Sequence, residues 1–549
     1  MSEELLDLLR ERVVAGLRRS SVRKCSQWAT QYRVMGNPYP GLFSYRHHPW
    51  LKEMHDAESE VTVGQKAAQM GYTEWLLNTT FYAIDVLGES VLYILPSETD
   101  AGDFSASRFD PALELSPHLE HIFSDVKNVA HKRAGSASLF VRGSRSRSKL
   151  KSLPVGVIAF DEVEEMVQAN LALAIERASG QVNKRFRYVS TPSVEGHGIN
   201  ALYDGTSQEI FYFKCPRCSK FVTLTFPECL VITAESPNDP KIRDSYLVCP
   251  QCKGTLQHQA KPDFLAQGEY VPTYTDRDAR GFTINQLFSC TVDPYLIAQS
   301  WLRAQTNPSD EQEFYNSKMG VPHAVKGAKI TDQDIDACIG GFTTAESATS
   351  RAPRTIGIDV GKWLHYCIYE WSFEAGGQGA EDISTYAHPK LVAYGRCLHF
   401  EDIDSLIKRF QIDYGVIDAN PERRKALELC QRFAGCFKMC FYGNGVTGRN
   451  INVHSPEQHT ITVDRTSWLD VSLGRFRAQT IRLPKDIDLE YRTHIKAQVR
   501  IYKKDQDGNP VGRYVTAESA DDHYGHASTY AEIALLMFMG HSNQTISEM

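Results

Sequence analysis

Short continuous apolar runs recur along the chain, and several close on a glycine turn or on acids. Continuous runs, unlike alternating ones, belong to strands buried on both faces of a parallel sheet. Val61–Glu74, VTVGQKAAQMGYTE, reads as a strand that enters a glycine-containing turn, with a helix predicted from near Thr73. Ser90–Leu95, the apolar run within VGVIAFDEVE (155–164) and Phe186–Val189 predict further strands. Arg354–Val360 reads as a strand, Gly361 as a turn and Leu364–Trp371 as the returning strand. Tyr414–Asn420 is a buried strand followed by a helix from Pro421, and a last helix carries Ala527, Tyr530, Ala531 and Leu535. Pro49–Ala57 and Asp293–Gln305 read as helices, and Gly340–Pro353, rich in Gly, Thr, Ser and Ala, as a linker. Glu3–Val34 predicts an amphipathic helix with Leu5, Leu6, Leu9, Val13 and Leu17 on one side and a basic patch of Arg18, Arg19, Arg23 and Lys24. That helix suits a partner or its own domain equally well.

With 549 residues, two or three domains are expected. No run is long and apolar enough to span a membrane, and the N-terminus lacks a signal peptide's apolar core. Most of the thirteen cysteines are scattered, which fits a reducing cytosol better than a disulfide framework. A net charge of −7 means that any nucleic-acid surface is local. Arg142–Ser152, RGSRSRSKLKS, is such a local cluster, suited to backbone phosphates or to a solvated loop.

The Val61 strand and its turn have the layout of a phosphate-binding loop, whose N–H groups and helix start face an anion. Against GxxxxGK[ST], Gly71 and Thr73 fit the second glycine and the hydroxyl. Tyr72 stands where the lysine is expected, and Lys66 stands at the first glycine, so the cation is displaced to the loop's opening. Asp161 and Glu162 follow a buried strand, as the acids that hold Mg²⁺ and polarise the attacking water do in ATPases. Ser190–Thr191–Pro192 at the next strand end suits a sensor of nucleotide state. Tyr45 and Arg46 are candidates to frame an adenine or to cover the sheet edge, and Arg108 to act as an arginine finger or as a solvated helix arginine. Cys215-x-x-Cys218 and Cys249-x-x-Cys252 are paired knuckles for one structural Zn²⁺, with no open position for catalysis. Asp359, Asp418 and an acid at Asp521–Asp522 come from two strands and a helix start, the arrangement of an RNase H-like two-metal nuclease.

These pieces resemble the large subunit of tailed-phage terminases, of the lambda gpA-like group. The resemblance rests on PGLFSYRHHPWLKEMHDA, the displaced-lysine loop QKAAQMGYTE, LPSETDAGDFSASRFDPAL, AFDEVE, VSTP, the paired CPxC knuckles, FYNSKMGVP, GIDV and VIDAN. It implies an α/β architecture: a P-loop ATPase domain with a parallel sheet, a zinc-ribbon insertion and a C-terminal RNase H-like nuclease domain. The expected division is an N-terminal helical segment (1–35), ATPase core (36–205), zinc ribbon (206–260), remainder of the ATPase domain (261–339), linker (340–353) and nuclease (354–549). Gln65, Lys66, Gly71, Tyr72, Thr73 and Arg108 are then expected to bind ATP, and Asp161 to hold its Mg²⁺. Glu162 activates water, and Ser190 and Thr191 form the coupling motif. Asp359, Asp418 and Asp522 would hold Mg²⁺ or Mn²⁺ in the nuclease, with Asp521 in reserve. His526 stands where the family often has a second aspartate. The implied partners are double-stranded DNA, a small terminase subunit, the capsid portal and copies of the chain in a ring, in the host cytoplasm and away from membranes. The alternatives are a zinc-ribbon helicase–nuclease of repair or recombination, and a non-catalytic DNA-binding capsid adaptor.

Overall fold

A computed structural model of the chain describes residues 22–123, 126–151, 153–374, 386–443, 445–454, 458–504, 510–517 and 520–547. Most of the amphipathic helix expected over Glu3–Val34, including its leucine face, Arg18 and Arg19, lies outside the described residues. Its remainder contains helix α1 (Cys25–Tyr32), whose buried Trp28 donates to Asp85 at 2.7 Å. The chain forms two compact units, Met1–His323 and Ala324–Met549. The boundary expected at 340–353 is therefore displaced. Composition marks an irregular segment there, but Ile330, Ile335 and Cys338 ahead of it are buried in the second unit's core.

Among the described residues, the first unit carries an eleven-stranded sheet. Its strands here are β1 (Val61–Lys66), β2 (Val91–Leu95), β3 (Ala137–Gly143), β4 (Val157–Asp161), β5 (Arg185–Ser190), β6 (Glu209–Lys214), β7 (Glu269–Pro272) and β8 (Arg280–Ile284). The central order is β6-β8-β1-β5-β4-β2-β3, all parallel, with shorter strands at both edges and β7 antiparallel on β6. Every residue of β2 and β4 is buried, which explains the continuous apolar runs. Full burial of a Leu, Ile or Phe side chain contributes roughly 1.5–3 kcal/mol, so a polar residue at Ile158 or Phe160 would break this layer. Gln65 pairs with Ser190, and Asp161 with Val189. The sequence-predicted groups therefore share the carboxyl edge of adjacent parallel strands, where α/β sheets bind ligands.

The second unit is built on β9 (Arg354–Val360), β10 (Leu364–Phe373), β11 (Ala387–Cys397), β12 (Tyr414–Asp418), β13 (Phe437–Tyr442) and β14 (Thr460–Val463), in the order β11-β10-β9-β12-β13-β14. The first three are antiparallel and the last three continue from β9 in parallel. Helix α2 (Arg423–Arg432) follows β12, α3 (Arg465–Arg477) follows β14, and a hairpin of β15 (Gln498–Lys504) and β16 (Pro510–Thr516) precedes the long α4 (His523–Ser547). Helix α4 lies directly on β9. Thr355 Oγ1 donates to the Ala531 carbonyl at 2.9 Å, and a Cβ on Gly357 would overlap Ala527 O and Ala531 N. The buried Arg475 of α3 pairs with Glu532 of α4 through two contacts, Nη2 to Oε2 at 2.9 Å and a shorter Nε contact.

Candidate active sites

Lys66 ends β1, and the loop behind it is pinned by the protein. Ala67 N–H donates to Ile284 O at 3.0 Å and Ala68 N–H to Ser317 O at 2.7 Å; Trp50 Nε1 donates to Met70 O at 2.9 Å and Gln286 Nε2 to Ala68 O at 2.8 Å. Gln69 and Gly71 have left-handed backbones, φ 59° and 81°, which turn the chain into the helix Tyr72–Tyr82. The first N–H groups of that helix have no partner within it and face the space an anion would fill.

The charged groups converge above this turn. Lys66 Nζ donates to Thr191 Oγ1 at 3.4 Å. Burial lowers the Lys66 ammonium, while the negative charges of Asp161 and Glu162 raise it. Asp161 accepts the Tyr93 hydroxyl at 2.7 Å; burial raises its carboxyl, and Tyr93, Lys66, Arg108 and Thr73 hold it down. Glu162 is exposed, with a left-handed backbone (φ 65°) tied by its N–H to Val189 O at 2.9 Å. A left-handed non-glycine residue at such a site is strain held by its surroundings, and here it turns the carboxylate outward. Arg108, on a π-helical turn at Ser105–Phe109, lies 3.5 Å from Glu74 Oε1, whose other oxygen accepts Arg33 at 3.2 Å.

Three of the side chains named from the sequence, Tyr72, Gln65 and Tyr45, are engaged within the protein. The Tyr72 side chain is buried, packs over Gly64, where a Cβ would lie 2.6 Å from its ring, and meets the Tyr270 hydroxyl at 3.2 Å. Its ring therefore belongs to the core, and only its backbone is at the helix start. Gln65 is likewise a support: it donates to Gly320 O and accepts from Asn200, each at 3.1 Å. Tyr45 packs edge-on against Phe43 and His55, and Arg46 is exposed near Asp263, so neither frames the loop.

Sequence reasoning missed Glu164. This buried carboxylate accepts Ser193 N–H at 3.1 Å, the Ser193 hydroxyl, and Ile199 N–H at 3.0 Å, capping the helix Gly198–Asp204. Its own N–H donates to Ser190 Oγ at 3.2 Å. Asn316 and Gln312 hold the Ser193 carbonyl from the other side, at 2.8 and 3.2 Å. A third acid in the run DEVE was the available signal, but its partners lie some thirty residues away.

In the second unit Asp359 and Asp418 end adjacent parallel strands, with Ile358 paired to Ile417. Asp359 Oδ2 lies 2.8 Å from His523 Nδ1 of α4, and this hydrogen bond raises the imidazole's pKa. Burial, with the Asp359 charge added, pushes the Asp418 carboxyl up to about 6, against the pull of the Asn420 N–H and His526. Asp522 Oδ2 accepts Gln498 Nε2 at 3.0 Å and Thr516 Oγ1 at 2.8 Å and lies 3.3 Å from His526 Nε2. Burial opposes the ionisation of Asp522, and these bonds outweigh it, holding the carboxyl far below its usual range. Tyr442 OH meets His526 Nδ1 at 3.1 Å, so His526 orients Asp522 from a fixed position. Asp521 is largely exposed. Asp359 and Asp418 thus share one strand edge, and Asp522 stands just ahead of the helix packed on β9.

Residues 37–270 match the family model of the phage terminase large subunit gpA, ATPase domain. The match covers less than half of the chain. The chain is 22% identical over 368 residues to the terminase large subunit of Enterobacteria phage P21, an alignment covering 60% of this chain and 56% of that protein. It is also 22% identical over 405 residues to that of Escherichia phage lambda, covering 65% and 62%. The chain thus spans less than two thirds of either relative's length. The large terminase of bacteriophage HK97 shares its fold at a TM-score of 0.52 and 10% identity, covering 93% of this chain and 99% of that one. The α/β fold expected from sequence, with a parallel sheet in the first unit and a mixed sheet in the second, is thus shared with that large terminase.

The first unit also carries the cysteine quartet. The sulfurs of Cys215, Cys218, Cys249 and Cys252 lie within 4.8 Å of one another, and Cys218 and Cys249 are 4.0 Å apart. A tetrahedral Zn²⁺ with Zn–S near 2.3 Å places sulfurs about 3.8 Å apart. The two knuckles repeat one geometry. Ser219 N–H donates to Cys215 O at 2.9 Å and Lys253 N–H to Cys249 O at 3.0 Å, with φ 60° at Ser219 and 55° at Lys253. Burial raises Cys215, but the N–H groups of Cys218 and Arg217 and the neighbouring thiols bring it to about 7. Cys249 is pushed up to about 12, first by burial and then by the thiolates beside it. Crowded thiolates of this kind fit a divalent cation.

Proposed function

We propose that this chain is the motor and nuclease subunit of a phage DNA-packaging terminase, driving double-stranded DNA through a portal into a capsid with ATP and cutting concatemeric DNA. The observation that carries the motor reading is Lys66 beside Asp161, Glu162 and Thr191 at the carboxyl edge of three adjacent strands. In this reading the N–H groups opening the helix at Tyr72 and the Lys66 ammonium cradle the β- and γ-phosphates of ATP. Thr73 and Asp161 would hold Mg²⁺, which supplies charge neutralisation at the phosphates. Glu162 orients the attacking water, and Arg108, released from or shared with Glu74, faces the charge that develops. Loss of the γ-phosphate frees Lys66 and Thr191, and the pull passes through Ser190 and Glu164 to the helix at Gly198. The cluster Arg145–Lys151, whose Lys149 reaches Glu98 at 3.2 Å, is the proposed DNA-gripping surface.

Asp359, Asp418 and Asp522 would hold the nuclease Mg²⁺ or Mn²⁺ ions, which supply an activated water and stabilise the leaving oxygen. His523 keeps Asp359 oriented, and Gln498, Thr516 and His526 keep Asp522 ionised. Zinc in the cysteine quartet is structural. The chain would act in the host cytoplasm with a small subunit and as a ring of copies; none of its described helices is long and apolar enough to cross a membrane.

Plasmid cleavage with Mn²⁺ and ATP hydrolysis test the two halves separately. Wild type should nick or linearise plasmid, while Asp359→Ala and Asp418→Ala are silent and retain ATPase activity. Lys66→Ala should lose ATP hydrolysis and keep cleavage. Equal cutting by all three nuclease proteins sinks the nuclease assignment, and unchanged hydrolysis by Lys66→Ala sinks the motor assignment.

A further inference from the structure

A cavity of about 620 Å³ opens at the amino edge of the first unit's sheet. The nucleotide loop is at the carboxyl edge, so the length of β1, roughly 17 Å, separates them. Five cations line this cavity: Arg23 and Lys24 ahead of α1, Arg185 and Arg187 on β5, and Arg280 at the start of β8. Two acids also line it, Asp56 and Glu58. Asp56 is occupied, accepting Ser26 N–H at 2.9 Å and Ser26 Oγ at 2.7 Å, and Arg280 is occupied by Glu53 and Glu209.

Arg187 is the unusual member. It is 4% exposed, yet its guanidinium donates to the carbonyls of Ala57, Ser59, Glu60 and Phe186. Among the described residues neither Arg187 nor its half-buried neighbour Arg185 forms an ion pair. Burial, with the Arg185 charge beside it, lowers the Arg187 guanidinium to about 9. A buried cation without a counter-charge is costly, and two on one strand more so. Both arginines line a cavity open to solvent, where an anion can reach them. The cavity's volume is that of a small-molecule site, and planar guanidinium forks match phosphate oxygens.

We propose that this cavity binds a phosphate group, with Arg185 at its floor, Arg23 and Lys24 at its mouth, and the carbonyl-bound Arg187 contributing charge from behind. The phosphate is either free, as in a small diphosphate, or part of a DNA backbone, and the chemistry of recognition is shared. The site is distinct from the nucleotide loop and does not depend on it.

The test is calorimetric titration of the full chain with inorganic pyrophosphate, and fluorescence titration with a short labelled DNA duplex at several salt concentrations. Wild type is compared with Arg23→Glu at the exposed mouth, Arg185→Glu at the floor, and Lys66→Ala as control for the nucleotide loop. Arg187 is left intact because its carbonyl bonds hold the strand edge. Each pocket variant, with unchanged melting temperature, should weaken one or both probes by about tenfold or more, as expected for a charge-assisted contact. Lys66→Ala should leave that component in place. Weakened pyrophosphate with unchanged duplex affinity assigns a free phosphate. Weakened duplex binding, with a salt slope reduced by about one, assigns a backbone phosphate. If neither variant weakens either probe, or if the component disappears in Lys66→Ala alone, the proposal is overturned.

Discussion

Glu164→Gln isolates the link between the Asp161 strand end and the helix at Gly198. The wild-type carboxylate accepts three hydrogen bonds, two from Ser193 and one from Ile199, with the Ser193 and Ile199 N–H contacts at 3.1 and 3.0 Å. The glutamine carbonyl replaces one oxygen, and its NH₂ group necessarily faces the donors of the other side. If the carbonyl takes Ser193, the Ile199 N–H is left buried beside another donor, at a cost of about 1–3 kcal/mol. Removing a buried negative charge offsets part of this, since burial already holds the Glu164 carboxyl above its usual pKa. The net loss should be about 1–2 kcal/mol, lowering the melting midpoint of the first unit by roughly 2–6 °C. Lys66, Asp161 and Glu162 are untouched, so basal ATP hydrolysis should persist while its stimulation by DNA is lost. Differential scanning fluorimetry and a coupled ATPase assay with and without duplex DNA read both effects. An unchanged midpoint would refute the capping account. Normal DNA stimulation in a destabilised variant would refute the relay while leaving the cap intact.

Lys261 is fully buried, donates to Ser289 O at 2.8 Å, and is pushed by burial down to about 7. Between about 7 and the usual 10.5 the unfolded chain holds this proton and the folded one does not, so stability rises with pH. Lys261→Met should remove roughly 2 kcal/mol of that rise between pH 7 and 9, measured by urea unfolding; the same rise in both proteins refutes it. Mass spectrometry under native conditions should find one zinc per chain, and its removal by chelator should expose the Cys215–Cys252 segment to protease; a metal-free chain resisting protease equally would argue against a structural ion. Glu532→Gln leaves the Arg475 guanidinium buried without its counter-charge, and should destabilise the second unit by about 3–5 kcal/mol in denaturant unfolding. A loss below 1 kcal/mol would mean that water reaches Arg475.

The strands that carry the acids were legible because each is a local signal: an apolar run with its chemistry at the end, as at Asp161, Asp359 and Asp418. The cysteine quartet was legible because each knuckle is four consecutive residues. Glu164, Gln498, Thr516 and Tyr442 were not, since each acquires its role from a partner in another element. The place of the Tyr72 ring was not legible either, because a motif template assigns a residue to a slot and says nothing of an aromatic ring that gains from burial beside Gly64. The unit boundary was misread for a related reason. Gly, Ser and Thr mark where chain is irregular, but the burial of Ile330, Ile335 and Cys338 decides which core a segment joins.

Gly357 sits two residues before Asp359, and the missing methyl there sets how closely α4 approaches β9. Asp359 rides on that strand and His523 opens that helix, so the gap between them is a mechanical tolerance fixed some distance away. Alanine at this position would act as a shim under the helix. It would move Asp359 and His523 apart while leaving every carboxylate of the proposed site in the sequence.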